Sequence, residues 1–279
     1  MSEIDRRRVA EAIGAFAALL ASGRALAASG NATGEPASRY DMTARARWRG
    51  AERIAFLIYP GFTALDMVGP HYMLASLMGA KVDIVAKSLA PVRSDAGLIF
   101  MPSSSFEEAV ANYDVFCVPG GSDGTLAALR DEATISYARE TGRRARLVTS
   151  VCTGSLLLGA AGLLEGYRAT SHWVTKSLLP VFGAIPTDGR FVRDRNRMTA
   201  EGVTAGLDFS LALVAELRDK EYAQGVQLLA QYAPSPPFNA GEPGSAPPQV
   251  TKMIKDMLSP LKKDLSAAAA AAFAKSKSF

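Results

Sequence analysis

Short apolar runs alternate with longer amphipathic stretches along the middle of the chain. Each run holds about four to eight mostly apolar residues and is bounded by Pro, Gly or charged residues, as is typical of buried strands. The runs begin at Arg53, Lys81, Tyr113, Arg146 and Arg197. Because the predicted strands are apolar almost throughout and alternate with helical patterns, we expect an α/β fold with an open, mostly parallel sheet and helices on both faces.

Helical patterns separate these runs. Residues 131–145 are amphipathic, the run from Thr153 is apolar with spaced glycines, and residues 203–219 predict a long helix. A further helix is expected to have Pro70 in its first turn and Gly79 at its end, because proline suits a first helical turn and glycine a helix terminus. The sequence therefore predicts a helix between most neighbouring strands.

The first 28 residues follow the order of a secretory signal. The arginines Arg6–Arg8 precede an alanine-rich apolar stretch, which ends at the small-residue triplet Ala25–Ala27. The paired arginines favour a twin-arginine export signal over residues 1–28 and a periplasmic location. The alternative is an amphipathic surface helix in a cytoplasmic protein. The stretch is too short to anchor the chain in a bilayer, so no stable membrane insertion is expected.

Composition divides the rest of the chain into three parts. Residues 29–52 are polar and predict a linker, and residues 53–241 carry the strand and helix patterns of one catalytic domain. Residues 242–279 form a Pro/Ala-rich C-terminal tail. Its helical pattern is expected to be interrupted at Pro260, because proline lacks the backbone N–H that a helix interior needs.

Charge and composition narrow the possible partners. The 31 Lys and Arg residues exceed the 27 Asp and Glu residues by four, but the basic residues are scattered along the chain. A solvated surface is therefore favoured over nucleic-acid binding. The chain has two cysteines without zinc-type spacing and two histidines, so no metal is expected. A small-molecule substrate is the expected partner.

Cys152 stands at the junction between a predicted strand and the apolar helix from Thr153. A helix N-terminus beside the sulfur favours the thiolate and lowers the thiol pKa, and Gly154 permits a tight turn. The pattern S-V-C-T-G resembles the strand–nucleophile–helix arrangement of a nucleophile elbow, usually written G-x-S-x-G. The Thr153 N–H could then hold developing negative charge. A small buried core cysteine remains an equally good interpretation of this pattern alone.

Three more candidate residues follow predicted strands. Asp66 lies in the predicted loop after the first strand, and Gly120 and Gly121 follow the strand that begins at Tyr113. Loops after the carboxyl ends of parallel strands converge on one crevice, where such sheets bind ligands. The alternatives are a helix N-cap for Asp66 and a tight turn for the two glycines.

Several motifs, in this order, resemble the ThiJ/PfpI superfamily and, within it, the isonitrile hydratase branch. They are LDMVGP, VPGG, SVCTGSLLLGAAGLLEGYRATSHW, EGVTAGLDF and the terminal VQLLAQYAPSPPFNAG. The resemblance runs from Arg53 to Gly241. It implies a flavodoxin-like, class I glutamine amidotransferase-like sheet with the cysteine on a nucleophile elbow, and a homodimer.

The resemblance also implies roles for the candidate residues. The Cys152 thiolate would attack the carbon of an isonitrile, a proton would reach that carbon, and the thioimidate would take up water to release an N-substituted formamide. Asp66 would handle protons, for which partial burial must raise its pKa. Backbone N–H groups of Gly121 and Thr153, beside Gly120, would stabilise the negative charge that develops during the reaction. No cofactor is needed.

Three alternatives remain open. A ThiJ-like glyoxalase or stress protein would use the same cysteine on a ketoaldehyde, although Asp66 and Thr153 favour the hydratase. The sensor domains of certain two-domain transcription regulators share part of the pattern, but the chain shows no C-terminal helix-turn-helix motif. A catalytically silent homologue would keep the fold and the elbow. Threonine, in place of histidine, after the nucleophile counts against the cysteine-peptidase branch.

His172 and Cys117 are interpreted as structural residues. His172 follows the elbow helix, and a structural or interface role is favoured over a Cys–His pair. Cys117 lies within a predicted strand and is expected to be an inert core residue. In an exported protein a Cys117–Cys152 disulfide must be considered, and it would abolish the nucleophile.

Overall fold

The structure is a computed structural model that describes residues 48–110 and 112–276. The predicted export signal, and the predicted linker up to residue 47, lie outside the described residues. Within the described part of the chain, no helix has the length and apolar character needed to cross a membrane.

Seven strands form one sheet, and four short strands form two separate pairs. The strands are β1 (Arg53–Leu57), β2 (Lys81–Ala86), β3 (Val92–Arg93), β4 (Ile99–Phe100), β5 (Ser104–Ser105), β6 (Val115–Val118), β7 (Leu147–Val151), β8 (Arg168–Ala169), β9 (Ile185–Pro186), β10 (Phe191–Asp194) and β11 (Arg197–Ala200). The sheet order is β10-β11-β7-β6-β1-β2-β5, and every pair is parallel except β10 with β11. The predicted mostly parallel sheet is confirmed.

The central strands are buried along almost their whole length. All residues of β6 and β7, and four of the five in β1, are buried. Burial on both sides is the reason that these strands are apolar throughout and do not alternate with polar residues. The carboxyl ends of β1, β6 and β7 lie side by side, so the segments that follow them meet at one edge of the sheet.

Two groups of helices cover the sheet. The helices are α1 (Ala64–Ala75), α2 (Asp123–Arg130), α3 (Glu132–Arg144), α4 (Gly154–Ala160), α5 (Ala205–Leu217), α6 (Lys220–Leu229) and α7 (Pro248–Ser276), with a 3-10 helix at Lys176–Phe182. In one group α1 packs against α5, and α5 against α6. In the other, α2, α3 and α4 pack together and α7 lies across α2, α4 and the 3-10 helix.

Helix α1 corrects two predictions. It begins at Ala64, directly after the extended residue Thr63, so Pro70 lies inside the helix and not in its first turn. Asp66 therefore belongs to the first helical turn, neither in a loop nor at an N-cap. Proline is tolerated here although it cannot donate to the carbonyl four residues earlier. Its ring packs against Gly206 of α5, where an added Cβ would lie 3.0 Å from the Pro70 ring.

Helix α7 corrects the prediction of an interrupted tail. It continues through Pro260 for 29 residues, from Pro248 to Ser276. Leu265 and Ala269 are fully buried against the domain, and the Phe273 ring meets the Phe182 ring edge to face at 5.7 Å. Proline removes one helical hydrogen bond, but packing along one face of α7 supports both sides of that position.

The described chain is packed against the domain before the predicted domain start at residue 53. The Trp48 indole N–H donates to Asp219 at 2.7 Å, and the Trp48 ring meets the Tyr222 ring at 5.4 Å. Glu52 forms a two-pronged ion pair with Arg218, with distances of 2.5 and 2.8 Å. The last residues of the predicted linker are therefore part of the folded domain.

Candidate active site

Cys152 forms the turn between β7 and α4. Its backbone has φ of +57°, a conformation that is uncommon for residues other than glycine. Such conformations cluster at functional sites. Its N–H donates to the carbonyls of Ala200 (3.1 Å) and Glu201 (2.7 Å). Its carbonyl accepts hydrogen bonds from the Ser155 and Ser171 hydroxyls at 3.1 and 3.2 Å. The predicted nucleophile elbow is thus present, and hydrogen bonds from both sides hold it.

Gly154 allows the elbow helix to begin close to β6. An added Cβ at this position would lie 2.2 Å from the Val118 carbonyl oxygen. The predicted tight turn is therefore explained by close contact with the neighbouring strand end, where any side chain would collide with backbone.

The Gly120–Gly121 backbone connects the other candidate residues. The Gly120 N–H donates to Asp66 Oδ2, and the Gly121 N–H donates to Thr153 Oγ1, both at 2.9 Å. An added Cβ at Gly120 would lie 2.6 Å from both the Thr153 nitrogen and Oγ1. In this structure the Gly121 N–H is paired with Thr153, and its role in stabilising developing charge stays a prediction.

The Thr153 side chain ends a buried chain of hydroxyl groups. Its hydroxyl donates to the Gly121 carbonyl and lies 2.8 Å from the Thr125 hydroxyl. Thr125 in turn lies 3.1 Å from the Tyr59 hydroxyl, which donates to the Pro119 carbonyl at 2.8 Å. Sequence reasoning missed Thr125 and Tyr59, because the spacing along the chain carries no signal for this contact.

Asp66 is fully buried, and burial raises the pKa of its carboxyl to about 7. The negative charge of Asp95 also raises this pKa, whereas the hydrogen bond from Gly120 lowers it. The second oxygen, Oδ1, has no hydrogen-bond partner in the described part of the chain. Oδ1 is thus available to carry a proton, and burial raises the pKa of Asp66 in the direction that a role in proton transfer requires.

The thiol of Cys152 does not have the lowered pKa that the sequence predicted. Burial raises its pKa well above the ordinary value, and the negative charge of Asp66 adds to that effect. Hydrogen bonds from the Thr153 N–H and side chain lower it only in part. Helix α4 is seven residues long, and its N-terminal field is outweighed by burial beside a carboxylate. Asp66 and Cys152 influence each other's pKa and titrate as a pair.

A cavity of about 260 Å³ opens beside Cys152 and Thr153. Its lining includes Thr63, Asp95 and Gly121 from segments that follow strands, and several residues of helix α7. The sheet edge and α7 therefore enclose one space, and the elbow cysteine lies in its wall.

His172 also lies in the wall of this cavity. Its Nδ1 accepts the Val174 N–H at 3.4 Å, and burial lowers the pKa of the imidazole, which keeps it neutral. The hydrogen bonds of the described residues do not join it to Cys152. His172 thus lines the same cavity as Cys152, and its structural or interface role stays a prediction.

Cys117 lies inside β6, where burial raises its pKa to about 12. Both cysteines are free thiols, so the disulfide considered for an exported protein is absent. Across residues 48–110 and 112–276, no group of three or more His, Cys, Asp or Glu side chains is arranged to hold a metal ion.

The fold and the site define a class: a flavodoxin-like α/β protein with a buried cysteine on a nucleophile elbow. The family model of the DJ-1/PfpI family matches residues 52–216. The chain is 48% identical over 210 residues to isonitrile hydratase of Pseudomonas putida, which covers 75% of this chain and 91% of that protein. The chain therefore belongs to the DJ-1/PfpI family.

Two other similarities bear on the fold and on the alternatives. The crystal structure of a ThiJ/PfpI family protein from Pseudomonas syringae has a TM-score of 0.80 and 50% identity, and covers 88% of this chain and 98% of its own. The HTH-type transcriptional regulator GbdR of Pseudomonas aeruginosa is 29% identical over 192 residues, which is 66% of this chain and 52% of the regulator. The regulator is thus similar over about half of its length.

Proposed function

We propose that this protein hydrates isonitriles to N-substituted formamides through a covalent intermediate on Cys152. The observation that carries the proposal is the pair of buried groups at the elbow, a cysteine thiol and a carboxyl whose pKa is about 7. The identity with isonitrile hydratase, over 91% of that protein's length, makes this chain an enzyme of the hydro-lyase type.

In the first step the thiol adds to the isonitrile carbon. The pair of Asp66 and Cys152 holds one proton above pH 7, on either the carboxyl or the sulfur. With the proton on Asp66, the thiolate forms a C–S bond, and the carboxyl gives its proton to the same carbon. The product is a thioimidate, R–N=CH–S–Cys152. The Thr153 N–H, which favours the thiolate, stabilises the attacking form.

In the second step water adds to the thioimidate carbon. As the C–O bond forms, the Asp66 carboxylate removes a proton from the water and passes it to the imine nitrogen, which gives the tetrahedral intermediate R–NH–CH(OH)–S–Cys152. The C–S bond then breaks, its electron pair returns to sulfur, the hydroxyl proton returns to Asp66, and R–NH–CHO leaves. A carboxyl with a pKa near 7 suits both directions of proton transfer at neutral pH. The sum is one isonitrile plus one water to one formamide.

The proposal is tested by formamide production from an aryl isonitrile. Cys152→Ala is expected to abolish turnover, and the matched Cys117→Ala variant, which changes the buried cysteine of β6, is expected to retain it. A folded wild type with a titratable Cys152 thiol and no turnover would overturn the proposal. Methylglyoxal would then be the next substrate, because the glyoxalase alternative uses the same cysteine.

We also propose a homodimer that uses the outer face of α1. Leu65, Val68 and Tyr72 lie at helical spacing on this face and are 43%, 41% and 46% exposed. Contiguous exposed apolar side chains favour contact with a second copy. Light scattering is expected to give the mass of a dimer for wild type and of a monomer for Val68→Glu. Leu228→Glu, at an 81% exposed position of α6, is the control. A monomeric wild type would refute this interface.

The third proposal is twin-arginine export through residues 1–28. The order of arginines, apolar stretch and small-residue triplet supports it. Lysine in place of Arg6, Arg7 and Arg8 is expected to keep the protein in the cytoplasmic fraction, whereas wild type is expected in the periplasm without its first residues. Full-length wild type in the cytoplasm would contradict export.

A further inference from the structure

We propose that helix α7 sets the size limit for the substrate, because Leu258, Leu261 and Leu265 form an apolar part of the wall of the cavity that Cys152 also lines. The identity of the substrate rests on the proposed function, but the wall itself does not.

The three leucines share one side of α7. They are spaced three and four residues apart, which brings their side chains to the same face of a helix. All three line the cavity that also contains Cys152 and Thr153. An isonitrile whose carbon meets the sulfur must therefore direct its substituent into space that these leucines bound.

Packing beyond the wall holds α7 in place. Ala268, Ala269 and Ala272 are buried, and their small side chains allow close approach to α2 and α4. Phe273 packs edge to face on the Phe182 ring at 5.7 Å. Because this segment follows Leu265 on the same helix, it fixes the distance between the leucines and the elbow.

The lining suits an uncharged, apolar substituent. Asp95 and Lys262 lie in it with opposite charges, and His172 is neutral because burial lowers its pKa. Val174 and Val203 add apolar surface. The volume of about 260 Å³ is smaller than the range of about 300–1,000 Å³ that is usual for ligand cavities. A change of a few carbon atoms in the wall should therefore alter which substituents fit.

Leu261 is the position to change. It is half-buried, so its substitution disturbs folding less than a change at the fully buried Leu265. Leu261→Ala enlarges the cavity, and Leu261→Trp fills it. Met257→Ala is the matched control, because Met257 is a large apolar side chain of α7 that is 63% exposed and outside the lining. Leu258→Ala is a second enlarging variant.

The first readout is kcat/KM for a small alkyl isonitrile and for a bulky naphthyl isonitrile. Leu261→Ala is expected to raise the ratio of bulky to small substrate about tenfold, and Leu261→Trp to lower it by a similar factor. Met257→Ala is expected to leave the ratio unchanged.

The second readout needs no turnover. The rates at which chloroacetamide and N-pyrenylmaleimide alkylate the full-length protein are measured by mass spectrometry of the Cys152 peptide. The same shifts in the ratio of large to small reagent are expected, and such shifts without any hydration would support the wall while refuting the proposed function. Ratios for folded Leu258 and Leu261 variants that match Met257→Ala in both readouts would overturn the inference.

Discussion

The polar groups around the elbow and the leucines of helix α7 are held by different forces. Beside the elbow, hydrogen bonds hold several polar groups: Asp66 is bonded to the Gly120 N–H, and Thr153 to Gly121 and Thr125. Helix α7 contributes leucine side chains to the cavity, and these are held by packing. Hydrogen bonds are directional and fix the angles that a reaction needs, whereas apolar packing fixes volume. In the proposed function the hydrogen-bonded groups react, and the leucines select the substrate.

The largest effect is expected from substitution of Asp66, beside the elbow. Asp66→Asn keeps an acceptor for the Gly120 N–H but cannot transfer a proton, so turnover is expected to fall about 10²- to 10⁴-fold. In wild type, kcat/KM is expected to rise as pH increases through about 7, because the pair then loses one of its two protons and reaches the reactive form. The variant should lose this inflection. A variant with the wild-type pH profile would remove Asp66 from proton transfer.

The same carboxyl is expected to reduce stability as pH rises. Its pKa is about 7 when folded and 3.8 when unfolded, so the folded state binds more protons between these values. The free energy of unfolding therefore falls from about pH 4 to pH 7, and the loss persists above pH 7. Asp66→Asn is expected to be more stable than wild type at pH 8, by at most about 4 kcal/mol, since one pKa unit corresponds to about 1.4 kcal/mol.

Urea unfolding of both proteins at pH 4 and pH 8 measures this difference. The advantage of the variant should shrink at pH 4, where the unfolded carboxyl is itself about half protonated. An equal difference at both pH values would show that titration of Asp66 is not its cause.

Gly120→Ala tests how closely the backbone at Gly120 packs against the elbow. Its Cβ would overlap the backbone nitrogen of Thr153, which cannot move without disturbing the elbow. We expect a loss of about 1–3 kcal/mol in the free energy of unfolding, with a fall in turnover. The control is Gly225→Ala in α6, where no atom lies within 4 Å of an added Cβ. There the helix should gain up to about 1 kcal/mol. Equal effects at both glycines would refute the close fit.

The smallest expected effect concerns the buried hydroxyl chain. Thr125→Val removes the hydroxyl between Tyr59 and Thr153 at nearly constant volume, and should cost about 1–2 kcal/mol of stability. Because Thr153 then loses a partner, kcat should fall while KM for a small isonitrile stays the same. Thr125→Ser restores the hydroxyl and should restore kcat. A serine variant as slow as the valine variant would show that packing, not the hydroxyl, matters at this position.

The sequence predicted the central strands of the sheet well, because each buried strand is a short apolar run that can be recognised without knowledge of the rest of the fold. Strands β1, β6 and β7 are buried on both sides, so their apolar runs stand out among polar residues. The boundary of α1 was missed, because a mid-helix Pro70 resembles a helix start until its packing on Gly206 is known. Helices α2 and α6 and strand β10 were not predicted, because short elements contain too few residues to show a clear hydrophobic periodicity.

The sequence by itself determined which residues meet at one edge of the sheet: a cysteine after β7, two glycines after β6 and a carboxylate after β1. Parallel strands bring these positions together whatever the details of packing. The tertiary structure alone decided their chemistry. Burial raises the pKa of both Asp66 and Cys152, and Thr153 accepts the Gly121 N–H. Helix α7, more than 100 residues further along the chain, supplies part of the cavity lining. These effects depend on which groups exclude water and which meet in space, and no local pattern encodes either.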